Sequence, residues 1–591
     1  RVLDRRCVRR PSRYSRWPQA LFVAAAGASC LLASINTAAS HEVMRLPARG
    51  TTSAVAALRP AVQRPVLALH LGASGRRSRS NEQEGSWAPN ALHTSAAASG
   101  GGVPEWNALV SEAEKTPTGE KLTQAYAERA KGGGSPHTDS TLRLFGASEK
   151  DVRVTLYRDR AGWCPYCQKV WIMLEEKKIP YRVSHINMRS YGPKPDSFLA
   201  KVPNGLLPAV ELDGKLYTDS IAIMRLLDET FSDYEPAMIP AGQTQRIDAL
   251  YRLERALFGA WCELMFRPGG GGAFSGPIGM LLGGGGSDGR LQAYETLLDR
   301  VDQELGKSWA ASQSPFFLGT ETPTLIDLQF ISHIERMEAS VTYWKGVKMR
   351  GQGRENLDRW LEAFDARESY RATKSDFYTH VMDIPPQYGY AYADESNPRA
   401  RDAVDFIGGG SYNYPKDSER PNNRGDMNGV SWTLPIPNYD QDSWEPIRPP
   451  YHVPEEEARH EAVYELTRNY EDVVKFACRG TGDEGRPQYS APLADPFALA
   501  NPADKDDVDL LFRMAATSLL RGSLPQFDAS DIPRERREAL ARCIRYVRDR
   551  VGVPRDMSFP AAQHLRGHLN HLVTILSSTT QESTRTREAL G

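Results

Sequence analysis

The spacing of apolar residues between positions 151 and 231 changes period several times. Val152 to Tyr157 alternates apolar and polar side chains, which predicts a strand, whereas Cys164 to Lys178 has its apolar residues at helical spacing. The same pattern predicts further strands over 179–186, 209–212 and 215–217, and helices over 194–201 and 219–231. The predicted order is β-α-β-α-β-β-α, which indicates an α/β domain over residues 151–235.

A hairpin is predicted between the last two strands of this domain. Asp213-Gly214 separates two short apolar runs, and a type I′ turn needs residues that accept positive φ at both central positions. Aspartate followed by glycine meets that requirement. The last two strands should therefore pair antiparallel with a two-residue turn between them.

From residue 243 to residue 383 the pattern is helical and predicts an all-α domain, interrupted by a Gly-rich segment from Gly269 to Gly289. Thr324-Leu-Ile-Asp327 predicts a helix start, because the threonine hydroxyl can cap the amide three residues on while the aspartate reaches back. Residues 385–455 are rich in proline and aromatic residues, which is typical of an extended arm. A mainly helical extension is predicted for 456–580, with amphipathic helices over 455–479, 504–521, 533–551 and 559–577.

The first 100 residues differ in composition from the rest. They contain 14 Arg, no Lys and four acidic residues, a net charge of +10, so the remaining chain carries −11 of the overall −1. An Arg-rich, acid-poor segment is typical of an organellar transit peptide, and the order basic, apolar, small up to Ser40 is typical of a secretory signal. A bipartite signal and transit leader and a single long transit peptide both stay open. Either predicts an organellar protein, with residues 101–150 as a flexible linker that one short helical patch, from Glu105 to Lys131, interrupts.

Composition excludes several classes of protein. The 591 residues are 40% hydrophobic, which is enough for more than one core. No apolar run reaches the roughly 20 residues that a membrane-spanning helix needs. Seven cysteines are too sparse for a disulfide scaffold. The acidic remainder argues against nucleic acid as a partner, since a basic face would be expected.

The pattern with the clearest chemistry is Cys164-Pro165-Tyr166-Cys167. Such a pair binds zinc when a second pair or two histidines complete four ligands, but Cys262, Cys478 and Cys543 stand singly, so no metal is predicted. The pair instead follows a predicted strand and opens a predicted helix. The positive end of the helix dipole stabilises a thiolate at Cys164, and proline suits the first helical turn. This pattern predicts redox or nucleophilic cysteine chemistry.

Two weaker clusters lie in the predicted helical regions. His564, His568 and His571 share one helical face, but that helix has no acidic residue to complete a metal site, so a packing role is favoured. Tyr251, Trp261 and Arg267 are candidates for lining a pocket for an electrophile.

The cysteine motif within the β-α-β-α-β-β-α order resembles a glutaredoxin-type thioredoxin fold. With an all-helical domain and its Thr324-x-x-Asp327 start, the chain resembles the cysteine-type glutathione transferases, which include the omega, lambda and dehydroascorbate reductase classes. The segment 194–208 is similar to the omega-class stretch between a glutathione-binding lysine and a cis-proline. The further C-terminal region, with residues 544–557, resembles the iota class of photosynthetic organisms.

The resemblance implies a glutathione site and a role for each of its residues. Cys164 would be the nucleophile, and Cys167 a second cysteine able to attack a mixed disulfide. Glutathione would contact Tyr166 at its sulfur, Lys194 at its glycine carboxylate, the Leu207 backbone before cis-Pro208, and Asp219 with Ser220 at its γ-glutamyl group. Many relatives have Glu where this chain has Asp219. A solvated Lys194 and a purely capping Asp219-Ser220 pair are the simpler alternatives.

The implied activity is glutathione-dependent thiol transfer, with glutathione as co-substrate. Its partners would be glutathionylated thiols or small oxidants such as dehydroascorbate, while conjugation to electrophiles should be weak because the site has a cysteine in place of serine or tyrosine. The alternative is a non-enzymatic carrier of an apolar or tetrapyrrole ligand, with the extension as a docking module. The resemblance agrees with a plastid location and leaves open whether the protein is a homodimer.

Overall fold

A five-stranded mixed sheet organises the first domain. The computed structural model describes residues 102–188, 190–267, 287–389, 391–394, 396–397, 400, 445, 450–485 and 495–577. The strand order is β1-β3-β2-β4-β5. The strands are β1 (Leu142–Arg143), β2 (Val154–Asp159), β3 (Tyr181–Ile186), β4 (Ala209–Leu212) and β5 (Lys215–Thr218).

The pairing of these strands follows from the lengths of their connections. β2 and β3 pair in parallel, with Val154 opposite Tyr181, because a helix crosses between them. β4 pairs antiparallel with β2, and β5 antiparallel with β4. Asp213 and Gly214 have φ values of 51° and 77°, so the predicted hairpin turn is confirmed. The short edge strand β1, antiparallel to β3, lies before the predicted start of the domain.

Helices cover both faces of the sheet, as a thioredoxin-like domain requires. They are α3 (Pro165–Glu176), α4 (Asp196–Lys201) and α5 (Ser220–Thr230). Val154 and Leu156 point to the face covered by α3 and α5, and Tyr157 points to the opposite face, where it packs with Phe198 of α4. This alternation is the period of two that a strand imposes. The predicted α/β fold class is confirmed.

The second domain is helical, as predicted. Its helices are α6 (Thr244–Phe266), α7 (Ser287–Ser312), α8 (Leu325–Lys345), α9 (Glu355–Asp365), α10 (Glu368–Arg371) and α11 (Phe377–Tyr388). Every residue of α8 is buried, so this helix is the core of the domain. The Asp327 carboxylate accepts hydrogen bonds from the amide and the hydroxyl of Thr324, at 2.9 and 2.7 Å. The predicted helix start is confirmed.

The C-terminal region forms a second apolar core. Its helices are α12 (Glu455–Arg468), α13 (Tyr470–Ala477), α14 (Lys505–Arg521), α15 (Arg534–Arg548) and α16 (Phe559–Ser577). α14, α15 and α16 begin and end within a few residues of the predicted helices, whereas the helix predicted over 455–479 is divided into α12 and α13. Among the described residues, no helix has the length and apolar character needed to cross a membrane.

The prediction that residues 101–150 are a flexible linker is wrong. The helical patch in this segment forms two packed helices, α1 (Trp106–Glu114) and α2 (Pro117–Ala130). Trp106 stacks on Tyr470 at 4.5 Å between ring centroids and donates a hydrogen bond to Asp509 at 2.6 Å. The apolar face of α1 is buried in the C-terminal core. Composition favoured a linker because the partner surface for this face lies more than 300 residues away.

Three predictions fall on parts of the chain outside the described residues. They are the leader over 1–100, most of the arm over 385–455, and most of the Gly-rich segment over 269–289. They stay predictions.

Candidate active site

The two cysteines of the motif occupy different environments. Cys164 immediately precedes α3 and is partly exposed, whereas Cys167 lies one turn inside the helix and is buried. Pro165 is the first residue of the helix, as predicted. The sulfur of Cys164 is therefore the accessible one, and it lies at the positive end of the α3 dipole.

Cys167 is held as a thiol. Burial raises its pKa well above the ordinary value, and the hydrogen bond and charge of Cys164 and the carboxylate of Asp159 raise it further. A buried thiolate beside a carboxylate is unfavourable because neither charge is solvated. The first nucleophile of the pair is therefore Cys164.

Asp159, the last residue of β2, holds the loop that leads to Cys164. Its Oδ2 accepts hydrogen bonds from the backbone amides of Trp163, at 2.6 Å, and Cys164, at 3.2 Å. The side chain is fully buried. Sequence reasoning missed this residue, although an acidic residue at a strand end five positions before the cysteine is a visible signal. Its carboxylate fixes the backbone that presents Cys164.

A buried polar chain links this loop to the helical domain. The indole Nε1 of Trp163 donates to Nδ1 of His380 at 3.0 Å, and Nε2 of His380 lies 2.9 Å from Oε1 of Glu335. Burial alone would raise the pKa of Glu335, but His380 and Arg336 lower it to about 2, so the carboxylate is charged. Burial lowers the pKa of His380, so the imidazole is neutral at physiological pH. In that state Nδ1 accepts and Nε2 donates.

Arg336 fixes the same loop through its backbone. One guanidinium nitrogen donates to the carbonyl oxygen of Trp163, and another donates to the Gln168 amide oxygen at 2.8 Å. Gln168 in turn donates to Glu335 at 2.8 Å. Both the side chain and the backbone of Trp163 are thereby attached to α8 and α11. None of these long-range partners carries a local sequence signal.

Leu207, Pro208 and Lys194, three of the residues predicted to bind glutathione, lie in the segment between β3 and β4. The Leu207–Pro208 peptide bond is cis. Ala209, the residue after Pro208, pairs with Tyr157, so the cis bond lies at the end of the sheet at which β2 leads into the cysteine loop. Lys194 interacts electrostatically with Cys164, Cys167 and Asp159, and its Nζ donates to the Asn187 carbonyl at 2.7 Å.

Asp219 and Ser220 form the start of α5. Asp219 has φ of 72°, and its Oδ1 accepts a hydrogen bond from the Ala222 amide at 2.9 Å, so it caps the helix. Ser220 is buried as the first helical residue. The exposed Asp219 keeps a second carboxylate oxygen for a ligand, which means that the capping and binding roles are compatible.

Lys169 is a buried cation on the other side of the motif. Its Nζ donates to Gln329 at 2.6 Å, and Gln329 donates to Glu254 at 2.8 Å. Burial and Arg255 lower the pKa of Lys169 to about 7, against the opposing effect of Glu254. Lys169 also interacts electrostatically with Cys164, the predicted nucleophile, and with Asp219, which is predicted to contact the γ-glutamyl group. Tyr166 packs near it, with its ring 5.1 Å from Nζ.

The two weaker clusters have structural contacts. Trp261 is buried and donates to the Ser340 hydroxyl at 2.9 Å. His568 lies within hydrogen-bonding distance of the His564 and Ser523 carbonyl oxygens, at 2.7 and 3.0 Å. His571 lies 3.1 Å from the Pro525 carbonyl. These contacts agree with the packing role favoured for the histidines.

Comparison with protein families finds a match that begins in the cysteine loop and continues to the end of α5. Residues 163–230 match the family described as glutathione S-transferase, N-terminal domain. Over these residues the chain is similar to the N-terminal domain of glutathione S-transferases. The match begins one residue before Cys164 and ends with α5, so it includes the predicted glutathione-binding residues of this domain.

Individual relatives cover about a third of the chain. "Glutathione S-transferase DHAR2" of Arabidopsis thaliana is 27% identical over 217 residues, which are 37% of this chain and 86% of the relative. "Probable glutathione S-transferase DHAR2, chloroplastic" of rice is 28% identical over 187 residues, 32% of this chain and 57% of the relative. The solved Chlamydomonas reinhardtii dehydroascorbate reductase is 18% identical and covers 40% of this chain and 99% of its own, with a TM-score of 0.31.

Proposed function

We propose that this glutathione transferase domain performs glutathione-dependent thiol transfer with Cys164 as the nucleophile. The carrying observation is that Cys164, partly exposed, lies at the N-terminus of α3 while Cys167 is buried behind it. A helix N-terminus stabilises the thiolate that attacks a disulfide. The glutathione transferase and dehydroascorbate reductase names of the relatives support the same chemistry. We place the chain closest to the iota class because of its extension.

Glutathione would be held by groups on both sides of the thiol. The Leu207 backbone would pair with the cysteinyl part of glutathione in the manner of an edge strand. The amides at the start of α5, with Ser220 and Asp219, would hold the γ-glutamyl group. Lys194 would pair with the glycine carboxylate, and Tyr166 would form one wall of the sulfur pocket. The electrostatic interaction of Lys194 with both cysteines supports this arrangement.

The reaction is a pair of thiol–disulfide exchanges. The Cys164 thiolate attacks the glutathionyl sulfur of a mixed disulfide, a Cys164–glutathione disulfide forms, and the substrate thiolate leaves and takes a proton. A second glutathione thiolate then attacks the adduct, so that oxidised glutathione leaves and the Cys164 thiolate is regenerated. Cys167 offers an alternative second step, in which its sulfur attacks Cys164 and releases glutathione. Glutathionylated thiols and small oxidants such as dehydroascorbate are the proposed substrates.

We further propose that the protein works in a plastid. The Arg-rich leader and the chloroplastic names of two relatives support this location. A compartment that generates oxidants supplies glutathionylated thiols as substrates. Whether the protein forms a homodimer stays a prediction to test.

The decisive experiment measures turnover of a glutathionylated peptide by three cysteine variants. Cys164→Ser should lower the rate at least a hundredfold, or about 3–4 kcal/mol at the transition state, because serine supplies no thiolate. Cys167→Ser should keep a large fraction of the rate and carry glutathione on Cys164, as seen by mass spectrometry. Cys262→Ser, a partly exposed cysteine of α6, is the matched control and should behave as wild type.

Two outcomes would contradict the proposal. Normal activity of the Cys164→Ser protein would remove Cys164 from the mechanism, and so would an adduct found on Cys167. A wild-type protein without any turnover would favour the carrier hypothesis, to which the relatives give no support.

A further inference from the structure

Three potential metal ligands meet at the base of the cysteine loop. A carboxylate oxygen of Asp159 and the sulfurs of Cys164 and Cys167 all lie within 4.8 Å of one another. The two cysteines come from one helical turn, and Asp159 comes from the end of the neighbouring strand. The motif spacing could not show this third ligand, because only the fold brings β2 and α3 together.

The Asp159 carboxylate has one oxygen to spare. Oδ2 accepts the two amide hydrogen bonds of the loop, whereas the buried Oδ1 has no hydrogen-bond partner in the described part of the chain. A buried carboxylate oxygen without a partner is costly, since it has lost its water and gained nothing in return. A cation bound next to Oδ1 would remove that cost.

We propose that Asp159, Cys164 and Cys167 form a binding site for a thiophilic divalent cation, Zn²⁺ or Cd²⁺, with a fourth position open to water or an external thiolate. Two thiolates and one carboxylate are ligands that Zn²⁺ accepts in tetrahedral sites. Zinc–sulfur bonds of about 2.3 Å place two tetrahedral sulfurs about 3.8 Å apart. In the structure the two sulfurs are at most 4.8 Å apart, so small side-chain rotations bring them to that spacing.

The charges around the three ligands suit a divalent cation. Both sulfurs bind as thiolates, and Cys167 releases its proton on binding, so the complex of one carboxylate, two thiolates and the cation has a net charge of −1. The Lys194 ammonium interacts electrostatically with all three ligand residues and offsets this charge. The cation also stabilises the Cys167 thiolate, which burial otherwise disfavours. The site does not depend on the proposed function, but an occupied site would block Cys164 as a nucleophile.

The test is a titration of the reduced full-length protein with Cd²⁺ alone, followed by the ultraviolet thiolate-to-cadmium absorption. Wild type should bind one equivalent of Cd²⁺ tightly, and Cys164→Ser should not. Subtracting the Cys164→Ser titration removes the absorption of Cd²⁺ bound to the other cysteines. Asp159→Asn should bind at least tenfold more weakly, by analogy with losses of 10–100-fold for weaker second-shell partners. Asp196→Asn, an exposed acid of α4, is the matched control and should leave the affinity unchanged.

Two further measurements keep the proposal testable if Asp159→Asn does not fold. Zn²⁺ should release the Cys167 proton from the wild-type chain in weakly buffered solution, and Cys167→Ala should release one proton fewer than wild type. One equivalent of Cd²⁺ should protect Cys164 against alkylation. Equal Cd²⁺ affinity of folded Asp159→Asn and wild type would overturn the three-ligand site, and so would equal titrations of wild type and Cys164→Ser. A failure of thiol transfer with intact Cd²⁺ binding would contradict only the proposed function.

Discussion

Helix α11 connects the candidate active site to the C-terminal helices. At its start Asp376 forms a fully buried ion pair with Arg566 of α16, at 2.5 Å, and Thr379 accepts a hydrogen bond from the Val553 amide at 3.0 Å. One residue further along, His380 binds the Trp163 indole beside Cys164. Replacing Arg566 by methionine should therefore weaken the attachment of α11 and disturb the loop that presents Cys164.

The expected magnitude follows from what the substitution leaves behind. Methionine fills much of the space of arginine but leaves the Asp376 carboxylate buried without a cation, a situation that costs about 3–5 kcal/mol. Asp376 also adds to burial in raising the pKa of the neighbouring Glu445, which favours the uncharged form of Glu445 and leaves Arg566 as the cation that pairs with Asp376. Asp376→Asn in the same chain removes the unpaired charge. The double variant should therefore recover about 1–3 kcal/mol relative to the sum of the single variants.

The assay combines stability with reactivity at the site. Urea unfolding followed by circular dichroism gives the free energy for wild type, both single variants and the double variant. The alkylation rate of Cys164, measured below the unfolding transition, reports on the loop. Arg534→Met is the matched control, since that arginine is exposed and pairs only with Glu538 on the surface of α15. It should change the stability by less than about 0.5 kcal/mol.

Two results would refute this reasoning. Strictly additive free energies would mean that the Asp376–Arg566 pair is not the source of the loss. An Arg566→Met protein whose C-terminal helices unfold at lower urea, while Cys164 alkylation stays at the wild-type rate, would mean that α11 does not transmit the change to the loop.

Two other outcomes are expected. Burial raises the pKa of Asp383 to about 6, so its charge destabilises the folded state above that pH. In urea unfolding at pH 8, the free energy of unfolding of Asp383→Asn should therefore exceed that of wild type by ~2–3 kcal/mol. The difference should vanish below about pH 4, where the carboxyl is protonated in both states. An unchanged difference between those pH values would contradict it. N-terminal sequencing of the native protein should find a start near residue 100, and a start before about residue 40 would contradict the leader hypothesis.

The features that sequence predicted correctly are those with causes within a few residues. Asp213-Gly214 specifies its turn because both positions need positive φ, which these residue types tolerate. Thr324 and Asp327 start α8 because one turn brings their polar groups together. Cys164 lies at a helix start because Pro165 favours the first turn. Such signals do not depend on the rest of the fold.

The features that sequence missed depend on partners far away in the chain. His380 lies 217 positions after Trp163, and no local pattern distinguishes it from any other histidine. The apolar face of α1 was visible as a helical patch, but its burial depends on Tyr470 and on α14. Asp159 is intermediate, because its position before the motif is visible while the unpartnered oxygen is a property of the folded loop.

The contacts of α11 show that the C-terminal helices are not structurally independent of the candidate active site. Arg566 is fully buried, and besides Asp376 it donates to the Val551 carbonyl at 2.6 Å. A displacement of Arg566 would leave the Asp376 carboxylate and this carbonyl without their hydrogen bonds, so the contact resists rearrangement. Arg566 of α16 contacts Asp376 and Glu335 of α8 contacts His380, so both helices hold α11, and the position of the Trp163 indole is set jointly by α8 and α16. The relatives align with about a third of this chain, so their names describe only part of it. In this protein the cysteine loop is fixed partly by residues of the C-terminal extension.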